Sequence, residues 1–363
     1  MEDDALATRL KALVGQDSHL TSLVEDGYAI IDNAFQEDHA KALRQEIIDL
    51  ESQNFFEPNK VQFNLPGRNE PIIATKPGVF EIDLHDQNKR SAAPHFARLF
   101  HGEAFSSSLQ PVEEALAIKS NSQKTPVRLQ AGPNGKTIKL QINRGGAFPI
   151  HYDNPGRPNK RRWTCLLYLN PGWTKGDGGE VVLVPFGQPG TGVTVEPLFN
   201  RLLVFRSDLL LHRVLTASKK RFCFTVWQDA VVDDINVDAD VFLKQKHLSL
   251  DVEEFIALMK RSPLQRTISR AVYAEVYEDS LLMCFNGNKK ALSSDIACLD
   301  EGSRYMLAAH RAQTKALMKN GALSGLLQKL RQYITRPVKD DEGTKDAATV
   351  ERTPSQTTST ATN

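Results

Sequence analysis

Cysteine and long apolar runs are both scarce in this sequence. No pair among the four cysteines has the C-x-x-C spacing of a zinc site or a redox motif. No stretch of about 18 uncharged apolar residues is present, and the acidic opening MEDDALATRL lacks the apolar segment of a secretory signal. These absences argue against a disulfide scaffold, a zinc module and a membrane-spanning protein. They favour a cytoplasmic or nuclear location.

Charge of either sign shows no excess. The 363 residues contain 45 lysines and arginines against 44 aspartates and glutamates, which is a formal net charge of +1 at pH 7. Total charge therefore does not direct the protein to nucleic acid or to a membrane, and any electrostatic preference must be local. No internal repeat appears at any period.

The composition changes along the chain and predicts four parts. Within residues 1–23, Leu6, Leu10 and Leu13 have the spacing of one helical face, which stops at a glycine, whereas residues 24–232 hold the strand-like runs. Residues 233–335 have helical periodicity, and residues 336–363 contain too few apolar side chains to form a core. We therefore predict an N-terminal helix, a β-rich domain, a helical C-terminal region and a disordered tail.

Short strand-like runs follow one another in the middle of the chain. Most are rich in β-branched or aromatic residues and are bounded by Gly, Pro, Asn or Asp. Such strands without intervening helices are typical of a sandwich or barrel, and a double-sheet jelly roll is one way to close them. The predicted fold is mainly β with flanking α-helices, a double-stranded β-helix (jelly roll) with a helical C-terminal extension. The runs are KTIKLQIN, FPIHYD, WTCLLYLN, GEVVLVPF, TGVTVEP, NRLLVFR and RFCFTVW.

Candidate metal ligands lie in one of these runs and after another. His151 and Asp153 lie two residues apart in FPIHYD, so a strand would point both side chains to the same face. His212 follows a buried run further along the chain. Two histidines and one carboxylate form the facial triad that holds Fe(II) and leaves coordination positions open. Taken singly, each residue could instead have a structural role. The acidic segment EIDLHD at residues 81–86 has no comparable distant partner and is assigned a structural role.

Arg221 is a charge in an otherwise apolar strand, RFCFTVW. Such a charge is costly when buried unless it has a partner, and a carboxylate matches the guanidinium fork best. If 2-oxoglutarate is the co-substrate, Arg221 could bind its distal carboxylate, and the Thr225 hydroxyl on the same strand face could add a hydrogen bond. An internal ion pair is the structural alternative.

Residues 138–228 carry a resemblance to a known family. Their motifs, in order, are HYDNPG, TCLLYLNPGW, a Gly-Gly pair, VEPLFNRLLVFRSD, a histidine and RFCFTVW. This order resembles the 2-oxoglutarate/Fe(II)-dependent dioxygenases of the prolyl 4-hydroxylase family, and is similar to the catalytic core of the hypoxia-inducible-factor type. The resemblance implies an enzyme that uses Fe(II), 2-oxoglutarate and O2, releases succinate and CO2, and accepts ascorbate as a reductant.

The resemblance also implies individual roles. The iron ligands would be His151, Asp153 and His212. Arg221 would anchor 2-oxoglutarate, in a pocket lined by Tyr168, Thr225 and Trp227. The family has a tyrosine upstream of the first ligand, where this chain offers Gln141 or Asn143 instead. This departure predicts a different contact to the co-substrate.

The substrate is indicated less directly. The loop GRPNKRR contributes Arg157, Lys160, Arg161 and Arg162, which would give the pocket a basic rim facing an acidic peptide or a phosphate backbone. A solvated loop without a partner is the structural alternative. The resemblance favours hydroxylation of a prolyl residue in an intracellular protein. The open alternatives are oxidation of nucleic acid, of another amino acid or of a small molecule, and a non-catalytic jelly-roll scaffold.

Overall fold

The structure is a computed structural model that describes residues 2–64, 67–119, 125–188, 192–231, 243–286 and 299–335. The predicted disordered tail and Cys298 lie outside these ranges. Within the ranges described, no helix is both long and apolar enough to cross a membrane.

Seven antiparallel strands form a major sheet in the order β1-β9-β6-β11-β4-β3-β2. Its central strand, β11, pairs with β6 on one side and β4 on the other. The predicted strand-forming runs from KTIKLQIN to RFCFTVW supply its middle strands and three of the four strands of the second sheet. The bounds are β1 (Tyr28–Ile31), β2 (Glu57–Phe63), β3 (Ile72–Asp83), β4 (Lys136–Arg144), β6 (Arg161–Tyr168), β9 (Leu202–Arg206) and β11 (Lys220–Asp229).

Four further strands form an antiparallel minor sheet in the order β5-β10-β7-β8. The register of β10 against β5 places His212 directly opposite His151. The bounds are β5 (Phe148–His151), β7 (Val181–Val184), β8 (Val193–Val195) and β10 (Leu211–Val214).

Helices lie before and after the strand-rich part of the chain. The first group is α1 (Glu2–Val14), α2 (Asp17–Glu25), α3 (Glu37–Ser52), α4 (Gln87–Ser91), α5 (Pro94–His101) and α6 (Ala104–Lys119). The second group is α7 (Gln245–Leu248), α8 (Val252–Lys260), α9 (Ser269–Val272), α10 (Ala274–Asn286), α11 (Glu301–Lys319) and α12 (Gly321–Thr335). Short 3-10 turns lie at Pro133–Gly135 and Pro263–Thr267.

The N-terminal helices, the major sheet, the minor sheet and the C-terminal helices form four layers, and an apolar core lies between each neighbouring pair. Phe222 and Phe224 of β11 point to a core shared with the N-terminal helices, whereas the alternate residue Cys223 joins a second core between the two sheets. Ile150 and Leu211 of the minor sheet pack in a third core with the C-terminal helices. The predicted jelly roll with flanking helices is therefore confirmed, and the space between the sheets holds the candidate site.

The N-terminal segment differs from the single helix predicted for residues 1–23. It forms two helices, α1 and α2, interrupted at Gly15 and Gln16. Leu10 of α1 and Leu23 of α2 both join the core on the outer face of the major sheet. The first helix ends directly before the glycine at which the leucine spacing predicted its stop, and the break lets both helices bury an apolar face. The predicted domain limits remain a prediction.

Candidate metal centre and co-substrate pocket

His151, Asp153 and His212 converge between the two sheets. The imidazole centroids of His151 and His212 are 4.4 Å apart. One carboxylate oxygen of Asp153 lies 3.5 Å from His151 Nε2, and the other lies 3.7 Å from His212 Nε2. Within the described ranges, this is the one group of three or more His, Cys, Asp or Glu side chains close enough to share a metal ion.

The two imidazoles are oriented for metal binding by backbone carbonyl groups. His151 Nδ1 lies 2.7 Å from the Pro149 carbonyl oxygen, and His212 Nδ1 lies 3.1 Å from that of Leu210. Because a carbonyl oxygen can only accept, each Nδ1 donates its hydrogen. Each Nε2 therefore keeps a lone pair that points towards the carboxylate, as a metal ligand requires.

The protonation states also suit a metal site. Burial lowers the pKa of His212 to about 4, although the Asp153 carboxylate opposes the shift, so the imidazole is neutral at pH 7. Burial alone would raise the pKa of Asp153, but the imidazoles of His212 and His151 and a hydrogen bond from Thr164 hold it well below its usual range. The site thus presents the neutral imidazole of His212 and the anionic carboxylate of Asp153, which with His151 make the donor set of two histidines and one carboxylate that Fe(II) takes in a facial triad.

The Asp153 carboxylate is held by one hydroxyl group, which is itself linked to a second. Thr164 Oγ1 of β6 donates to Asp153 Oδ2 at 2.7 Å and lies 2.8 Å from Ser207 Oγ, which follows β9. All three side chains are buried. Neither Thr164 nor Ser207 was predicted from the sequence. Thr164 shares a strand face with Tyr168, so the alternation of WTCLLY could have indicated a hydroxyl pointing into the site.

Arg221 is buried with unused donors at the base of the site. Its side chain is only 1% exposed, and its Nε and Nη2 have no hydrogen-bond partner among the described residues. Its Nη1 donates to Cys223 Sγ at 3.3 Å. The internal ion pair considered as the alternative is therefore not observed in the part of the chain that the structure describes. The free nitrogens fit a carboxylate ligand.

Tyr168 supplies a second donor beside Arg221. The guanidinium carbon lies 5.0 Å from the centre of the Tyr168 ring, and the Tyr168 hydroxyl is also buried without a partner among the residues described. Burial raises the pKa of Tyr168, so its hydroxyl stays neutral and can donate. Gly179 has a φ of +75°, and a Cβ there would lie 3.0 Å from Arg221 Cδ, so a glycine gives the arginine room. The two donors form a cradle for one carboxylate.

The other two residues predicted to line the pocket, Thr225 and Trp227, lie at different distances from Arg221. Thr225 lies on the same face of β11 as Arg221, in line with the prediction. Trp227 is on that face too, but six residues along a strand correspond to about 20 Å, so it lies at the opposite end of the site from Arg221.

Gln141 faces the pocket, where its Oε1 accepts from the Cys223 thiol at 3.6 Å, whereas the Asn143 side chain bonds the backbone of Gly146. Of the two residues considered, Gln141 is the one available to a ligand.

The basic loop is only partly a rim. Arg157 and Lys160 are exposed, and the Arg161 guanidinium stacks over the Trp227 ring at 4.3 Å. The prediction that Arg162 belongs to the rim is wrong. Neighbouring residues of a strand point to opposite faces, and Arg162 instead forms an internal ion pair with Glu113 of α6 at 2.7 Å.

The acidic segment EIDLHD serves structure, as expected. Asp86 caps α4 by accepting from the Asn88 and Lys89 backbone amides. Glu81 accepts hydrogen bonds from Asn59 and Lys139.

Comparison with known proteins agrees with this geometry. Residues 138–229 match the family model described as the 2OG-Fe(II) oxygenase superfamily. A solved structure of prolyl 4-hydroxylases from Phytophthora capsici is 35% identical, with a TM-score of 0.67 over 92% of this chain and 95% of that one. The chain belongs to the prolyl 4-hydroxylases of the 2OG-Fe(II) oxygenase superfamily. The resemblance predicted from the sequence is thereby confirmed, and Fe(II) and 2-oxoglutarate are the cofactor and co-substrate that the family uses.

Two curated relatives bear names of the same kind. The hypoxia-inducible factor prolyl hydroxylase of Caenorhabditis elegans is 25% identical over 57% of this chain and 27% of its own length. The human prolyl hydroxylase EGLN3 is 39% identical over 23% of this chain and 35% of its own length. The chain thus spans about a third or less of the length of these relatives.

Proposed function

We propose that this protein is a 2-oxoglutarate- and Fe(II)-dependent dioxygenase that hydroxylates a prolyl residue of an intracellular protein and forms succinate and CO2. One observation carries the proposal: the triad of two histidines and an aspartate, of which Asp153 and His212 are buried, lies in the space between the two sheets (the chamber) together with a buried arginine that has no carboxylate partner among the described residues. A metal-binding site alone would not need Arg221. The choice of proline comes from the family to which the chain belongs.

The residues of the chamber fit both Fe(II) and 2-oxoglutarate. Nε2 of His151, Nε2 of His212 and the Asp153 carboxylate would hold the iron, and three protein donors leave positions for the co-substrate and dioxygen. When bound, Fe(II) would activate dioxygen, the oxidant, for attack on a C–H bond, and 2-oxoglutarate would supply two electrons by its conversion to succinate and CO2. Arg221 and Tyr168 bind and orient the distal carboxylate of 2-oxoglutarate.

The apolar core between the sheets keeps bulk water out of this chamber. Leu166 and Leu183, one from each sheet, belong to that core and are buried. A dry site strengthens the interaction of the guanidinium with a carboxylate and protects a reactive species from side reactions.

The open side of the site suits a peptide. The side chain of His151 is 38% exposed, whereas those of Asp153 and His212 are each 7% exposed, so the metal site is accessible mainly past His151. Arg161 stacks on Trp227 at one end of the site, and tryptophan and arginine are among the residue types that contribute most to binding at protein interfaces. The exposed Arg157 and Lys160 would favour an acidic segment near the target residue.

The test is 2-oxoglutarate turnover by Fe(II)-loaded protein under air, with proline-containing peptides from a proteolytic digest of cell protein as substrate. We expect succinate formation and hydroxyproline in a subset of peptides, detected by mass spectrometry. His151→Ala should abolish both, whereas His101→Ala, a change at an exposed histidine of α5, should leave both unchanged. Absence of succinate together with absence of 2-oxoglutarate binding would overturn the oxygenase function. Oxidation of residues other than proline would overturn the prolyl assignment alone.

A further inference from the structure

The segment between Ala147 and Asn154 has two faces with different partners. Neighbouring residues of an extended chain point in opposite directions, and His151 and Asp153 point inward to the metal centre. Ile150, Tyr152 and Asn154 alternate with these ligands, so they point away from it. Their outer side is covered by the C-terminal helical region.

Each of these outward residues is hydrogen-bonded to that region. The backbone N–H of Ile150 donates to Ser280 Oγ of α10 at 3.0 Å. The carbonyl oxygen of Asn154 accepts from Arg266 Nη1 at 2.8 Å. Because both bonds involve the backbone of the ligand-bearing segment, they restrain the path of the chain on either side of His151 and Asp153.

Tyr152 is the central member of this set, since it lies between the two ligands. Its hydroxyl donates to Gln265 Oε1 at 2.9 Å and lies 2.7 Å from Ser269 Oγ. Gln265 and Ser269 are themselves fully buried and fixed. Gln265 Nε2 donates to the Met259 carbonyl oxygen, and Ser269 Oγ donates to the Gln265 carbonyl oxygen. The hydroxyl is therefore held by groups that have little freedom to follow it if it moves.

We infer that the C-terminal helical region is a structural part of the metal centre, and that Tyr152 is a positioning residue which sets the separation of His151 and Asp153 through Gln265 and Ser269. A rotation of the Tyr152 backbone would move the Cα atoms of both ligands, so anchoring its side chain fixes the pair. The inference rests on the proposed function, because it assumes that the triad binds a metal. Loss of groups that hydrogen-bond the ligands themselves commonly weakens metal binding about 10–100-fold, and Tyr152 acts on the same ligands through the backbone.

The chain contains a matched control. Tyr273 packs in the same core between the minor sheet and the C-terminal helices, and its hydroxyl is also hydrogen-bonded. That hydroxyl accepts from the Gly187 backbone N–H at 2.9 Å, and it donates to the Gln188 carbonyl oxygen at 3.3 Å. Tyr273→Phe therefore deletes a comparable buried hydroxyl in the same layer, but far along the chain from any metal ligand.

The experiment measures Co(II) binding to metal-free protein by calorimetry and by the visible absorption of the bound ion, which reports ligand geometry without turnover. We expect Tyr152→Phe to weaken Co(II) binding about 10-fold or more and to change the absorption spectrum. Tyr273→Phe should bind Co(II) like the wild type, while both variants lower the melting temperature of the metal-free protein by similar amounts. Ser269→Ala, which removes a partner and leaves Tyr152 in place, should weaken Co(II) binding in the same direction.

The outcomes separate the two proposals. Wild-type affinity and spectrum in both Tyr152→Phe and Ser269→Ala would overturn the positioning role while the proposed function stands. Equal weakening in Tyr152→Phe and Tyr273→Phe would also overturn it, since the effect would then be general loss of stability. If wild-type protein binds no Co(II), or if His212→Ala does not weaken the binding, the proposed function itself fails.

Discussion

The buried Arg221 guanidinium lowers the stability of the ligand-free protein, but the same group binds the carboxylate of 2-oxoglutarate. One substitution separates these two effects. Its side chain is 1% exposed, and two of its nitrogens lack a partner among the described residues. Arg221→Met keeps a long side chain and removes the charge. We expect this variant to be as stable as the wild type or more stable in the absence of 2-oxoglutarate, and to have lost most of its affinity for that ligand.

The magnitudes follow from the contacts. Replacing a buried ion pair with apolar side chains is often neutral or stabilising by about 1–4 kcal/mol, and a buried charge without a partner has the desolvation cost without the compensating attraction. The fork of Arg221 can make two charge-assisted hydrogen bonds to a carboxylate, each contributing about 1.5–3 kcal/mol. Their loss corresponds to a Kd raised about 10²–10⁴-fold.

The assay is denaturant unfolding of protein with Mn(II) in the metal site, without oxygen, at a series of 2-oxoglutarate concentrations. At 100 times the wild-type Kd, the ligand should stabilise the wild type by about 2.7 kcal/mol. A variant whose Kd is raised 100-fold should gain only about 0.4 kcal/mol at the same concentration, from the same relation.

Arg206→Met provides the contrast. Arg206 is also buried, but it forms an ion pair with Asp208, with Nε 2.9 Å from Oδ1. Its removal should cost about 3–5 kcal/mol of stability, because it leaves the carboxylate without this partner, and it should leave the response to 2-oxoglutarate unchanged. The reasoning would be refuted if Arg221→Met lost stability as Arg206→Met does, or if it kept the wild-type response to 2-oxoglutarate.

Two further predictions concern the metal ligands. Thr164→Val removes the 2.7 Å hydrogen bond to Asp153 with little change of shape. We expect Mn(II) affinity to fall about 10-fold, with Thr164→Ser restoring it, and equal affinity in the valine variant would contradict the orienting role. His212 has a folded-state pKa of about 4 against an ordinary value of 6.5, so the unfolded chain binds more protons between these pH values. Metal-free protein should therefore lose about 2–3 kcal/mol of stability between pH 7.5 and 4.5 through this group. His212→Asn should show a smaller loss in urea unfolding, and an identical pH dependence would contradict the assignment.

The residue pattern within single strands was sufficient to predict part of the site. The spacing of His151 and Asp153 on a strand, and Arg221 within an apolar strand, predicted side chains that the structure brings to one chamber. The strand-rich runs likewise predicted a double-sheet fold. These inferences succeed because strand alternation decides which face a side chain takes.

Only the tertiary structure determined the contacts between segments that are distant in the sequence. The sequence offered no sign that Arg162 would pair with Glu113, because the partner lies on a separate helix. It also did not indicate that Thr164 would hold Asp153, or that Tyr152 would reach Gln265 more than a hundred residues away. Such contacts depend on how helices and sheets pack, and burial of apolar surface drives that packing without specifying in any short motif which polar groups will meet.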